Sequence, residues 1–521
     1  MKSMSYDVVI LGGAFSGAAA ATLLRRERPN LRVLVVEKQA QFDQKVGEAT
    51  TEMSGMFISR RLGLWQHLEM EQLPKEGLRY WFSNAKVTGH ANASESGAFY
   101  RSTVPSFQLR RDALDEHILA TAVSEGAELL RPARVKDVVL GDFDSRVLVE
   151  TDGEELEVSA KWVIDATGRV AYVGRKLGII DRNDDHPVAA LWARFHGVKH
   201  IDDLAARQGG VLRDRNIGSR RLATNHYVGL GYWIWVIPLG NGETSIGIVW
   251  DKRLVKLHES RDRERDFDAF LRGIPALAEL LEGADFKRDD FRFYPHLPYV
   301  TRQYMGNGWA LVGDAAAFLD PYYSPGLDHC AFSVEATVNL LVDWFDGKEI
   351  AMATKEHNET FLRSYRHFFE GIYRDKYYYM GEHDLLGAAT MIDTAQYYIF
   401  VVIPAYRFFK RFHWMPVLGP KQAVVSYALL RAYNRSFKRL AMLRSEMGVA
   451  GRRNDGRRIS YFFNLGLAPL HMLMRGLKLW LYAEIEGLGL LAKKFLGMKR
   501  PKPVVPDPVP EAGVGPVEGE R

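Results

Sequence analysis

Tyr6-Asp-Val-Val-Ile-Leu11, Gly12-Gly13-Ala14-Phe15-Ser16-Gly17, Ala18-Ala-Ala-Ala-Thr-Leu-Leu-Arg-Arg26 and Leu31-Arg-Val-Leu-Val-Val36-Glu37 follow one another within the first forty residues. The first and last runs are short, apolar and β-branched, and the alanine-rich run between them is a good helix former, so the order is strand, glycine turn, helix, strand. In such a unit the helix N-terminus faces a pyrophosphate. Gly12 permits the tight turn, Gly17 lets helix and strand approach, and Glu37, twenty residues after Gly17, is placed to accept from ribose hydroxyls. Gly13 and Ser16 complete the turn. Ala14 stands where the usual fingerprint has its middle glycine, so a methyl group meets the phosphates there.

Working outward, strand-like runs recur at 147–151, 162–165 and 309–312, the last two each ending in a glycine-containing turn. The expected fold is α/β, with a Rossmann-like dinucleotide-binding domain assembled from residues 1–180 and 296–345. Between these pieces, residues 181–295, with part of 75–105, alternate aromatic and β-branched residues with turns and predict an inserted antiparallel substrate sheet. From 346 to 500 the periodicity is helical, with helices expected over 360–379 and much of 420–495. The tail 501–521 has six Pro, four acidic residues and no aromatic, a composition that predicts disorder.

A 521-residue chain that is 47% hydrophobic can bury cores for two or three domains, which excludes a disordered protein. The single cysteine, Cys330, excludes an internal disulfide, and the first apolar run is too short for a secretory signal; a cytoplasmic location is expected. The most apolar stretch, 395–406, carries Pro404 and stops short of a membrane span. Charge is segregated: residues 401–500 hold 19 Lys and Arg against 4 Asp and Glu.

Two later motifs point to the cofactor. Val163-Ile-Asp165-Ala-Thr-Gly168-Arg169 resembles the second chain crossing of the FAD-binding superfamily that holds aromatic hydroxylases, halogenases and prenyl reductases. Trp309-Ala-Leu-Val-Gly313-Asp314-Ala-Ala resembles its Gly-Asp motif, whose aspartate contacts the ribityl-pyrophosphate region. Arg111, in Phe107-Gln-Leu-Arg-Arg-Asp-Ala-Leu-Asp115, matches the superfamily's helix start near the flavin. The resemblance implies FAD. No second nucleotide fingerprint for NAD(P)H is present, which points to reduced flavin from a partner reductase, although hydroxylases of the superfamily bind NADPH without one.

Within the superfamily the chain most resembles the flavin-dependent halogenases. Trp233-Ile-Trp235-Val-Ile-Pro238 is similar to their Trp-x-Trp-x-Ile-Pro signature; prenyl reductases share the Trp235 and Pro238 positions. Phe318-Leu-Asp-Pro321-Tyr-Tyr323-Ser324-Pro-Gly326 matches Phe-x-x-Pro-x-x-Ser-x-Gly, a loop that in the family lies against the flavin, with Ser324 and Gly326 then bordering a chloride or bromide site. Lys75, in Leu73-Pro-Lys75-Glu-Gly77-Leu-Arg-Tyr80, follows Gly47-Glu48-Ala49-Thr50 as the halogenase lysine follows its own Gly-Glu segment. Such an amine can hydrogen-bond hypohalous acid, or capture it as a haloamine, and deliver it to an electron-rich carbon. Trp233 and Trp235 would then shield the flavin. Tryptophan halogenases carry a glutamate immediately before the loop serine; here Tyr323 stands there, which points away from free tryptophan and towards a phenol- or pyrrole-like ring.

Three functions stay open at this level: a two-component halogenase, a prenyl or lipid reductase or monooxygenase acting on a lipid-like substrate, and a non-catalytic flavin-binding partner. The basic, aromatic C-terminal region, as in Tyr406-Arg-Phe-Phe-Lys-Arg-Phe-His-Trp414 and Met472-Leu-Met-Arg-Gly-Leu-Lys-Leu-Trp-Leu-Tyr482, suits peripheral contact with an anionic membrane face. No nucleic-acid motif accompanies the charge, and no metal site is assigned.

Overall fold

The computed structural model describes residues 2–99, 101–208, 219–257, 262–408, 420–461 and 464–497. Its first sheet runs in the order Met305–Gly306, Trp309–Leu311, Glu154–Asp165, Lys2–Leu11, Val33–Val36 and Glu128–Leu130. All pairs from Trp309–Leu311 onward are parallel. Val8 to Leu11 and Val33 to Val36 are buried throughout. That is why they read as continuous apolar runs rather than as alternation: both faces of a parallel sheet are covered. The first half of Glu154–Asp165 also pairs with Ser145–Thr151, which pairs in turn with Arg134–Val139, all antiparallel.

The register decides where a ligand can sit. Leu11 pairs with both Asp165 and Val36, and Asp165 with Leu311, so four strands that are distant in sequence end at one level. Helix Phe15–Glu27 leaves from that level and packs against helices Arg111–Ser124 and Gly326–Phe345.

A second sheet has nine strands, in the order Asp285–Phe286, Val188–His196, Thr244–Asp251, Tyr232–Pro238, Thr224–Gly229, Leu78–Phe82, Ser94–Ala98 and Arg458–Tyr461, with Arg292–Tyr294 also on Val188–His196. It is antiparallel except at two places, Leu78–Phe82 on Thr224–Gly229 and Ser94–Ala98 on Arg458–Tyr461. The last strand is a departure from the helical reading of 420–495. It lies between helices Pro420–Glu446 and Ala468–Phe495 and closes the sheet's edge.

Part of the C-terminal positive charge is turned inward. Arg444 is fully buried and its guanidinium bonds Glu382, Asp384 and Glu486, so two acids that precede the basic stretch and one within it neutralise it. Among the described residues one helical run, 383–406, is long and apolar enough to cross a membrane, but 72% of its most apolar window is buried inside the protein. It is a core helix, longer than the stretch 395–406 that composition singled out. Residues 409–414 of the first basic aromatic segment and the tail 501–521 lie outside the described residues.

Candidate active site

The glycine turn is set by backbone contacts. Gly12 has φ +95°, its N–H donates to Val36 O at 2.8 Å, and a Cβ there would lie 2.6 Å from Ala166 O. Gly17 is tighter still, since its Cβ would stand 1.9 Å from Gly12 O. Ala14 has extended backbone (φ −72°, ψ −168°), open to any residue, which explains why alanine serves where the fingerprint has glycine. Ala14 offers no side-chain cap to helix Phe15–Glu27, so the first helical N–H groups are left for an anion.

The turn opens into a cavity of about 1100 Å³, larger than an ordinary small-ligand pocket. Gly12, Ala14, Ser16 and Glu37 line it. Glu37 already accepts from Gly13 N (2.7 Å) and Gln39 N (2.9 Å), one bond per carboxylate oxygen, and each oxygen keeps a second lone pair. Arg111, Gly168, Asp314, Pro321 and Gly326 also line the cavity. The Asp314 carboxylate makes no hydrogen bond or ion pair with another described residue, and burial raises its pKa. Arg111 is committed: it grips both oxygens of Asp115 at 3.1 Å and donates to Val46 O and Gly47 O, tying its helix to the segment that leads to Glu48.

Four residues assigned to the cofactor from sequence stand behind the cavity wall rather than on it: Gly13, Gly17, Asp165 and Gly313. Asp165 is fully buried, accepting from Thr167 N and Oγ1 with one oxygen and from Val173 N with the other. Its carboxylate therefore shapes the second crossing instead of reaching a ligand. The residues present fit FAD: a turn in which a Cβ would collide, an uncapped helix N-terminus, an uncommitted carboxylate and room for a long ligand.

Lys75, Trp233, Trp235, Tyr323 and Ser324 line the same cavity. The two tryptophans share one face of Tyr232–Pro238, ring centroids 5.8 Å apart, and each indole N–H is used, Trp233 on Tyr377 Oη (2.8 Å) and Trp235 on Ser245 Oγ (3.1 Å). Tyr323 and Ser324 are consecutive non-glycine residues at φ +71° and +57°. Such backbone costs on the order of 1 kcal/mol or more per residue and must be held from outside. The clamp is a buried group: Lys376 Nζ (2.7 Å) and Tyr323 Oη (2.9 Å) both donate to Asp393 Oδ2, and Tyr433 donates to Oδ1.

Lys75 is buried, and its Nζ donates to Thr50 O at 2.7 Å without an ion pair at bonding distance among the described residues. Burial lowers its pKa to about 8, partly offset by the charges of Glu52 and Asp328. Asp328 accepts from Ser54 N (2.9 Å), Tyr397 Oη (3.1 Å) and Thr51 Oγ1, and burial raises it to about 6. Glu52 accepts from Tyr398 Oη (2.6 Å) and is also raised by burial. Thus Thr50, Thr51 and Glu52 in succession meet Lys75, Asp328 and Tyr398. Sequence reasoning missed Glu52, Asp328, Lys376 and Asp393; the one visible signal was an aspartate, Asp393, inside an otherwise apolar run.

Fold and cavity together define an FAD-dependent oxidoreductase. The family described as FAD binding domain matches residues 5–341. Among known relatives, the flavin-dependent halogenase chlA of Dictyostelium discoideum is 24% identical over 451 residues, covering 80% of this chain and 72% of that protein. The 1H-pyrrole-2-carbonyl-[peptidyl-carrier protein] brominase of Pseudoalteromonas luteoviolacea is 28% identical over 327 residues, covering 62% and 74%. The crystal structure of halogenase PltM has a similar fold, with a TM-score of 0.70 at 19% identity over 92% of this chain and 96% of that one. The chain belongs to the FAD-binding domain family, and the relatives and the structure named above are halogenases.

Two predictions follow from this geometry. Gly17→Val should yield protein without the yellow of bound FAD and without uptake of added FAD, because Gly12 O cannot retreat from the new side chain; absorbance at the flavin bands reads this. Lys75→Met should raise stability at pH 7. A lysine at about 8 when folded and 10.5 when unfolded carries a cost in full below pH 8 that vanishes above pH 10.5. The gain in urea midpoint should therefore shrink between pH 8 and 10.5.

Proposed function

We propose that this protein is the halogenating half of a two-component system, acting on an electron-rich aromatic ring of phenol or pyrrole type, with Lys75 as the relay of hypohalous acid. FAD, when bound and reduced by a partner reductase, supplies with oxygen the two-electron oxidation of chloride or bromide. The observation that carries the reading is Lys75 itself. An amine buried in the flavin cavity, hydrogen-bonded to a carbonyl, with its pKa brought down towards neutrality, is unusual for a lysine and suited to capture an electrophilic halogen.

Other groups take supporting roles. Gly12, Ala14, Ser16 and Glu37 would hold the adenosine and pyrophosphate, and Asp314 the ribityl region. Gly168 would border the dinucleotide at the second crossing. The loop from Pro321 to Gly326 would meet the flavin. Helix Gly326–Phe345 starts at Pro325 without a side-chain cap, so its first N–H groups, with Ser324, suit a halide. Trp233 and Trp235 keep water from the space between flavin and lysine. An aromatic wall that includes Tyr323, Tyr397 and Tyr461 suits a flat ring, and the pyrrole brominase among the relatives agrees with an activated ring.

The test is Lys75→Ala with FAD, a flavin reductase, NADH, halide and a panel of phenols and pyrroles. FAD binding and the oxidation of reduced flavin should stay near wild type, while halogenated product, read by mass and isotope pattern, falls by about a hundredfold or more, as when an interaction used in a later step is removed. Lys75→Arg should not rescue, since a guanidinium offers no free amine lone pair. Halogenation by Lys75→Ala at the wild-type rate would overturn the relay.

A further inference from the structure

Helix Ala468–Phe495 is apolar on two opposite sides. Its inner side, with Met472, Gly476, Ala483 and Leu490 buried, packs on helix His383–Tyr397; a Cβ on Gly476 would lie 2.7 Å from the Ile392 side chain and 3.2 Å from Ala388 O. At 100° per residue, the outer side presents Leu470, Met474, Leu481, Ile485, Leu488 and Phe495. These six are exposed by between 50% (Leu470) and 90% (Phe495) and form one stripe directly opposite the buried face. At 1.5 Å per residue the stripe is about 39 Å long. An apolar stripe of that length on a folded surface marks an interaction site.

Charge identifies what it meets. Arg475, Lys478 and Lys493 are exposed along one flank of the stripe. The helix's two acids are both turned to protein: Glu484 accepts from Ser436, Trp480 and Arg439, and Glu486 pairs with Arg444, Arg452 and Arg453. The outer face therefore carries leucines and cations, and both acids of the helix are paired with arginines. A second copy of the chain brought to this face would offer the same cations and no counter-charge. A sheet of anionic headgroups over hydrocarbon offers both.

We propose that the outer face of helix Ala468–Phe495 docks in the plane of a bilayer that contains anionic lipid, its leucines in the acyl boundary and its basic flank among the headgroups. The docked helix and the cavity share a wall. The helix it packs on, His383–Tyr397, supplies Thr390, Asp393, Thr394 and Tyr397 to the cavity. The lipid surface would thus lie one helix layer, about 10 Å, from that wall.

The experiment is sedimentation of the full-length, FAD-loaded protein with phosphatidylcholine vesicles, with and without about 30% phosphatidylglycerol. Binding to the anionic vesicles is expected, weakening as salt rises from about 0.05 M to about 0.5 M. Binding to neutral vesicles should be at least several-fold weaker. The double variant Leu481→Glu/Leu488→Glu should bind anionic vesicles about tenfold less or worse, since it removes apolar burial and adds repelling charge. Its FAD content and reduced-flavin oxidation should match wild type, because neither side chain lines the cavity. Three results would overturn the proposal: no binding to anionic vesicles, equal binding by the double variant, or equal binding to neutral vesicles. So would concentration-dependent self-association that the double variant abolishes while vesicles are ignored, which would make the face a contact between copies of the chain.

Discussion

The parallel register that brings Leu11, Val36, Asp165 and Leu311 to one level is the constraint from which the rest of the molecule follows. Strands ending together leave a row of turns on one edge, and ligands of open α/β sheets bind at that edge. The turns after Leu11, Asp165 and Leu311 carry Gly12, Gly168 and Asp314, all on the cavity. The crossing of helix over strand is possible only because Gly17 lies against Gly12 O with no room for a Cβ. Once that crossing is made, the helix N-terminus, unprovided with a cap of its own, faces the same space.

The cavity is also where the fold accepts costs. An ammonium at Lys75 hydrogen-bonded to a backbone carbonyl, carboxylates at Glu52 and Asp328 pushed towards their neutral forms, and two successive left-handed residues in the loop after Pro321 each lower stability locally. The Lys376–Asp393 pair is the compensation visible in the structure. It is buried, joined by two tyrosines, and holds Tyr323 from a helix more than fifty residues further along the chain. The C-terminal helices are therefore part of the cavity, and the long apolar run from 383 to 406 is explained by burial inside the protein, its first part largely against helix Ala468–Phe495 and its last part against Met53, Met56 and Val104, rather than by lipid.

The same helices give the molecule an outside unlike that of the flavin domain. Acids at 382 and 384 take up Arg444 and Arg453, so the basic excess of residues 401–500 is not uniformly displayed. Part of what remains outside lies on helix Ala468–Phe495, where Arg475, Lys478 and Lys493 border an apolar stripe.

The sequence by itself determined the features that depend on local chemistry. The glycine turn, the apolar strand beside it and Glu37 read directly because a φ of +95° and a helix crossing at contact distance each demand glycine at a fixed spacing. The tryptophans of Trp233-Ile-Trp235 and the loop from Pro321 to Gly326 read as motifs because their residues are neighbours in the chain. Only the tertiary structure decided that Asp165 turns inward to Thr167 and Val173, that Arg111 is spent on Asp115, and that 458–461 forms a strand beside 94–98. It alone set Glu52, Asp328 and Tyr397 around Lys75, and Lys376 and Asp393 behind Tyr323. Asp165 and Arg111 find partners close by in the chain, but whether a charge turns inward to them is set by the packing around it; the groups around Lys75 and Tyr323 meet across tens to hundreds of residues, and neither propensity nor periodicity carries that information.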